Sequence, residues 1–187
     1  MRLFVAVDLP PEIRAGLAEL QEKMRALGRG VRWGNVAGIH CTLKFLGEME
    51  EEKLSRLVAR LETASTPRFV LRVHGLGVFP GWRNPRVIWV GVDTEAPHLE
   101  ILQRRIERAV EPLGFPPETR AFKPHLTLGR VRQPQDLEPL VTYMHAQREQ
   151  VDLGKFTAGQ FTLFQSILRP NGAEYRALHH FPLKGDS

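Results

Sequence analysis

A histidine and a threonine two residues apart occur twice in this chain, in Ile39-His40-Cys41-Thr42-Leu43 and in Pro124-His125-Leu126-Thr127-Leu128. The second histidine follows the first by 85 positions, and the Thr and Leu residues keep that offset. So do Val5-Ala6-Val7-Asp8 and Val90-Gly91-Val92-Asp93, and also Leu17 and Leu102. Separated matches in one frame indicate an internal duplication. The period is too long for a solenoid. The chain therefore reads as a single domain, residues 1–187, made of two pseudo-symmetric halves, about 1–84 and 85–187. Packed about a pseudo-twofold axis, the halves would bring the two motifs together across a groove.

Side chains alternate faces along a β-strand, so a His and a Thr two apart point the same way. Each copy places an imidazole beside a hydroxyl. Two such pairs in one groove make an acid–base site, because imidazole changes charge near neutral pH and can both take and give a proton. His40 and His125 are the catalytic candidates, and Thr42 and Thr127 the candidates to hold an anion between them. Lys44 continues the His40 face by alternation and is either a phosphate contact or a solvated charge. Arg130 falls on the face opposite His125 in a regular strand, but could reach the groove past Gly129 if that glycine marks a bulge. Trp33, Phe45, Phe122 and Phe164 are candidates to stack on a base, with core packing as the alternative. Trp82 and Arg83, in a turn, could contact a ligand or simply be exposed. His74, His98, His145, His179 and His180 lack a Thr partner and are set aside. Cys41 adjoins His40, but alternation puts it on the other face, against a thiol nucleophile.

Bulk properties narrow the partners. The net charge of +5 and a pI near 9.8 favour a polyanion. No apolar run approaches the roughly 20 residues that span a bilayer. Asp8 and Pro10 come too early for a signal-peptide core. The single Cys41 suits a reducing compartment. A cytoplasmic protein is expected.

The pattern alternates strands and helices. Strands are expected over Arg2–Val7, Val31–Trp33, His40–Leu46, Phe69–Val78, Val87–Val92 and His125–Val131. Gln160–Leu168 and Tyr175–Leu183 should close the chain as a hairpin around Pro170-Asn171-Gly172. Helices are expected after Pro10, with Ile13, Leu17, Leu20 and Met24 inward, and over Glu50–Leu61, Pro97–Leu113 and Leu137–Met144. The fold class is α+β, with two largely antiparallel sheets, helices packed outside and a central groove.

These residues resemble the bacterial-type RNA 2',3'-cyclic phosphodiesterases, or 2'-5' RNA ligases, of the 2H phosphoesterase superfamily. The likeness runs nearly end to end. It takes in Arg2-Leu3-Phe4-Val5-Ala6-Val7, Thr42-Leu43-Lys44-Phe45-Leu46-Gly47 and Gly75-Leu76-Gly77-Val78-Phe79-Pro80. Pro85-Arg86-Val87-Ile88-Trp89-Val90-Gly91, Phe122-Lys123-Pro124-His125-Leu126-Thr127-Leu128-Gly129-Arg130 and Ser166-Ile167-Leu168 complete it. Cys41 departs from the aliphatic residue usual there. The resemblance implies hydrolysis of a cyclic phosphate at an RNA 3' end to a 2'-phosphate, with His40 as proton donor and His125 as acceptor, and no metal or other cofactor. Run backwards, with a 5'-hydroxyl as nucleophile, the same site would make a 2'-5' linkage. RNA with cyclic phosphate ends, such as tRNA fragments, is the implied partner, and a monomer is expected. Other readings are a non-catalytic RNA-end binding module, a phosphodiesterase for 2'-5' oligonucleotides or small cyclic nucleotides, and a metal hydrolase using His40 and His125 as ligands. The last is weakened because neither motif contains Asp or Glu.

Overall fold

A computed structural model describes residues 1–184. The strands are β1 (Arg2–Val7), β2 (Val31–Trp33), β3 (Cys41–Glu48), β4 (Phe69–Phe79), β5 (Val87–Asp93), β6 (His125–Val131), β7 (Asp152–Ala158), β8 (Gln160–Arg169) and β9 (Gly172–Pro182). The helices are α1 (Pro11–Arg25), α2 (Leu54–Glu62), α3 (His98–Val110) and α4 (Glu138–Gln147). Each expected element is present, and β7 is an addition. Pro11 opens α1, where its missing N–H costs no hydrogen bond. Ile13, Leu17, Leu20 and Met24 form its buried stripe, as Leu99, Leu102, Ile106 and Val110 do for α3.

Two antiparallel sheets result. Sheet A has the order β3-β1-β8-β9, and sheet B the order β2-β6-β5-β4-β7. The chain crosses between them. β4 follows α2 in the chain yet pairs with β5 in sheet B, while β8 from the far end pairs with β1 in sheet A. Each sheet therefore draws strands from both sides of residue 85. Helices α2 and α3 pack together and against β9 and β3, whereas α1 and α4 lie against β2, β7 and β4. One apolar core runs through both sheets.

A second, smaller apolar cluster sits on the other face of sheet A, where Phe4, Ala6 and Phe164 are buried together. The main core lies on the opposite face of this sheet. β3 and β6 come into contact where the sheets meet. The tip of the β8–β9 hairpin reaches across to β2, since Arg32 Nη2 lies 3.8 Å from where Gly172 would carry a Cβ.

Both motif strands contain a bulge, and the two bulges are equivalent. In β3, Thr42 pairs with Ala6 and Lys44 with Val5, leaving Leu43 over. In β6, Thr127 pairs with Trp89 and Gly129 with Ile88, leaving Leu128 over. An extra residue in one strand reverses the alternation beyond it. The Leu128 carbonyl accepts from the Gly34 N–H at 2.8 Å and from Gln21 Nε2 at 3.0 Å. Gln21 is a buried amide on α1, and it also donates to the Gly34 carbonyl at 2.9 Å. The irregular backbone of β6 thus has its polar groups matched, as buried backbone requires.

Candidate active site

His40 precedes β3 and packs among aromatic rings. Its ring centroid lies 4.4 Å from that of Phe164, 5.5 Å from Tyr175 and 5.8 Å from Phe4. Phe4 and Phe164 stack on each other at 5.2 Å, which makes the floor beneath it apolar. Asp8, just past β1, places Oδ1 3.9 Å from His40 Nε2. Arg14 on α1 pairs with Asp8 and donates to the carbonyls of Val36 and Ile39. That arginine ties the segment leading into His40 to both β1 and α1. The imidazole is pulled in two directions. Burial lowers its pKa most, the Asp8 carboxylate raises it, Arg14 lowers it, and the Gly38 carbonyl raises it, with a net lowering.

His125 begins β6 and is held differently. Its Nδ1 lies 2.7 Å from the Lys123 carbonyl. A carbonyl only accepts, so Nδ1 carries the proton and the neutral ring keeps its lone pair on Nε2. Phe79 meets the ring edge-on at 5.0 Å, and Trp89 lies at 6.4 Å. The carbonyls that serve the two rings, Gly38 and Lys123, each lie two residues before their histidine.

Thr42 and Thr127 both face away from the main core, each half-buried between buried neighbours. The strand ladders set Thr42 beside Ala6 on the groove face of sheet A, and Thr127 beside Trp89 in sheet B.

The bulges move two other candidates. Lys44 does not stay on the His40 face. The extra residue Leu43 turns it inward opposite Val5, where it is 7% exposed. Its Nζ lies 2.9 Å from Glu107 Oε2 and donates to the Pro116 carbonyl at 2.8 Å. The expectations of a phosphate contact and of a solvated charge are both overturned. Lys44 instead ties β3 to α3 and to the loop before β6. Arg130 makes the opposite move. The Leu128 bulge brings it back to the Thr127 face, where it is exposed.

The aromatic candidates also separate. Phe45 is 76% exposed on the groove face, 6.2 Å from Phe4. Phe164 is buried beneath His40, and Phe122 and Trp33 pack against the main core. Trp82 packs against the core and against His145. Cys41 is fully buried, and burial pushes its thiol up to about 12, so it is no nucleophile at neutral pH. The other histidines are engaged elsewhere, His74 with Asp93, His98 with Phe69, His179 with Phe181 and His180 with Thr162.

Reading the residues did not single out Asp8 or Arg14, nor Phe4 and Tyr175. Asp8 was within reach, as the acidic end of the repeated Val-x-Val-Asp segment. Among the described residues no group of three or more His, Cys, Asp or Glu side chains could hold a metal ion. Among the described residues no helix is long and apolar enough to cross a membrane. An open hollow of about 660 Å³ lined by Met1, Glu48, Met49, Leu113 and Phe115 contains none of the motif residues.

Comparison with known proteins agrees with this architecture. The family model described as LigT like Phosphoesterase matches twice, over residues 7–89 and 90–175. An RNA 2',3'-cyclic phosphodiesterase of Archaeoglobus fulgidus is 36% identical over 181 residues, covering 97% of this chain and 99% of its own. One of Thermus thermophilus is 35% identical over 193 residues, covering 100% and 92%. A crystal structure from Thermus thermophilus superposes with a TM-score of 0.83 at 34% identity over all of both chains. E. coli LigT complexed with 3'-AMP gives 0.77 at 27% identity, covering 97% of each. With a family model that fits each half in turn and relatives above 30% identity over nearly the whole chain, the chain belongs to the LigT-like phosphoesterases.

Proposed function

We propose that the protein hydrolyses 2',3'-cyclic phosphodiester ends of RNA to 2'-phosphomonoesters, with His125 as general base and His40 as general acid. The observation that carries the reading is the pair of His-Thr sets on touching strands, with His125 Nδ1 committed to the Lys123 carbonyl. That bond leaves Nε2 of His125 as a proton acceptor. A water deprotonated there attacks phosphorus, and the bond from phosphorus to the ribose 3'-oxygen breaks. His40 gives its proton to that oxygen, so one water is added overall and the phosphate stays on O2'. Thr42 and Thr127 hydroxyls donate to the non-bridging oxygens, and Arg130 adds a guanidinium from the same face.

His40 has to be charged to act as the acid, yet in the free protein burial favours its neutral form. A phosphodiester anion bound beside it reverses that balance, as a nearby opposite charge does. Asp8 acts in the same sense. Substrate binding then loads the acid with its proton. Read backwards, the site supports attack by a 5'-hydroxyl and a 2'-5' linkage.

The matching curated relatives are named RNA 2',3'-cyclic phosphodiesterases, and the basic balance of this chain suits RNA. The fold needs no second chain to bring the two motifs together, which favours a monomer, and the buried lone cysteine suits the cytoplasm. We also take the sequence repeat as a true duplication, which the double family match supports.

The test is turnover of a 2',3'-cyclic nucleotide and of cyclic-ended RNA in excess EDTA. Activity that survives EDTA and is lost in both His40→Ala and His125→Ala is the expected result. Binding without turnover, or turnover that EDTA abolishes, would sink the reading. The product should carry its phosphate at O2'.

A further inference from the structure

The middle residue of the three-residue strand β2 is an arginine set opposite another arginine. Arg32 pairs with Arg130 in the antiparallel ladder. Residues directly opposed in such a ladder share a face, with Cβ atoms about 4.5–5.5 Å apart. The flanking residues identify that face. Val31 and Trp33 pack toward the main core over Gly129. Arg32 therefore points the other way, with Arg130 and Thr127, into the groove.

Both arginines are exposed. Some of the fold's arginines sit in ion pairs, such as Arg14 with Asp8, Arg72 with Asp152 and Arg169 with Glu174, and others do not. Among the described residues no carboxylate oxygen lies within 4 Å of Arg32 or Arg130. Like charges set opposite one another destabilise a sheet, and an anion between them removes the repulsion. The position is also framed from across the groove. Arg32 Nη2 lies 3.8 Å from the Cβ position of Gly172, so the guanidinium reaches toward the hairpin tip.

The spacing forms a track. With Leu128 looped out, Arg130 lies two ladder positions beyond Thr127, roughly 7 Å along the strand at ~3.3 Å per residue. Arg32 lies one strand further out, about 4.8 Å away, at the sheet's edge. Thr127, Arg130 and Arg32 thus lead from the motif to the rim.

We propose that Arg32 is a second phosphate subsite, which binds the internucleotide phosphodiester upstream of the cyclic end and so selects RNA chains over cyclic mononucleotides. The proposal rests on the phosphodiesterase reading above. A cyclic mononucleotide has no upstream phosphate for Arg32, whereas a chain of two or more nucleotides does.

The test compares kcat/KM on 2',3'-cyclic AMP with that on a short oligoribonucleotide ending in the same cyclic adenylate, for wild type, Arg32→Ala and Arg32→Lys. Wild type should prefer the oligonucleotide. Arg32→Ala should lose about 10-fold on it, mainly in KM, the size of one charge-assisted contact, and stay within about 2-fold on the mononucleotide. Arg32→Lys should recover most of the loss. The salt dependence of KM for the oligonucleotide should fall by about one ion in Arg32→Ala. Equal losses on both substrates, or none on either, overturn the subsite while leaving the catalytic reading intact. Wild-type protein inactive on both overturns the catalytic reading and the subsite with it.

Discussion

The same His-x-Thr-Leu segment leads into β3 and opens β6, with the same bulged leucine, and the two strands diverge in the two residues that follow. After Leu43 come Lys44, turned inward, and Phe45, turned outward; after Leu128 come Gly129 and Arg130. On the core side, Lys44 reaches Glu107 in an ion pair, while Gly129 leaves room for Val31 and Trp33. On the groove side, one strand presents an exposed phenyl ring and the other a guanidinium. The shared bulge preserves the placement of the histidine and threonine. What lies beyond it is free to differ, and the walls specialise. Sheet A offers aromatic surface suited to bases, and sheet B offers positive charge suited to phosphates. The histidines differ in the same manner, one beside a carboxylate in an aromatic nest, the other fixed by a carbonyl.

Four experiments would break or sharpen this contrast. The largest effect belongs to the histidines. Each alanine variant should lower kcat by about 10²- to 10⁴-fold, and the double variant should be little worse than either single, since the two act as one device. Losses that multiply in single-turnover kinetics would separate the two walls.

Next comes the core side of the bulge. Lys44→Ala removes the cation paired with the Glu107 carboxylate, which keeps the donors Gln103 Nε2 and the Glu118 N–H, and should lower unfolding stability by about 3 kcal/mol in urea titrations. Lys44→Met combined with Glu107→Leu should recover most of it. At the equivalent position, Gly129→Ala would bring a Cβ within 2.9 Å of Val31 Cγ1 and 3.1 Å of the Arg32 carbonyl. A cost of about 1–3 kcal/mol is expected there from crowding, the opposite physical cause.

The groove side should split kinetically. Phe45→Ala should leave the melting temperature unchanged, because the ring is already exposed, and should weaken cyclic-ended RNA by about 1–3 kcal/mol in KM. Arg130→Ala should act on kcat instead. Equal effects of both variants on KM would merge the two roles.

The smallest effect is on pH. Burial holds the folded-state pKa of His40 below its ordinary value. As pH falls through about 6.5, the unfolded chain takes up a proton that the folded protein resists. The unfolded state then binds more protons, so stability falls with falling pH across that window. His40→Gln should flatten this part of the melting-temperature profile, and an unchanged slope would show that the aromatic nest does not hold the ring neutral.

The periodicities show most of the framework, because helix stripes such as Leu99, Leu102 and Ile106 and the His/Thr spacing are local properties. The faces of Lys44 and Arg130 are not. A bulge is a mismatch between partners, and Leu43 becomes the extra residue only because Val5 and Ala6 stand opposite. Gly129 hints at irregularity, but in β3 nothing comparable marks Leu43. The loss of alternation after each bulge therefore needs the pairing partner to be known. Phe164 and Phe122 show the same limit, since strand patterning cannot say which apolar ring ends beneath a histidine and which joins the main core. The crossing of β4 and β8 between sheets is likewise invisible in any local window.

That crossing bears on how the protein comes into being. The first motif leaves the ribosome early, on a strand whose sheet cannot be completed until residues 160–182 have been made, and the second sheet waits for β7 to pair with β4. Pairings this distant in the chain slow folding, and half a chain would present open strand edges. A chain that stops before β8 leaves sheet A incomplete, so the strand that follows the first histidine gains its full sheet only after β8 and β9 have been made.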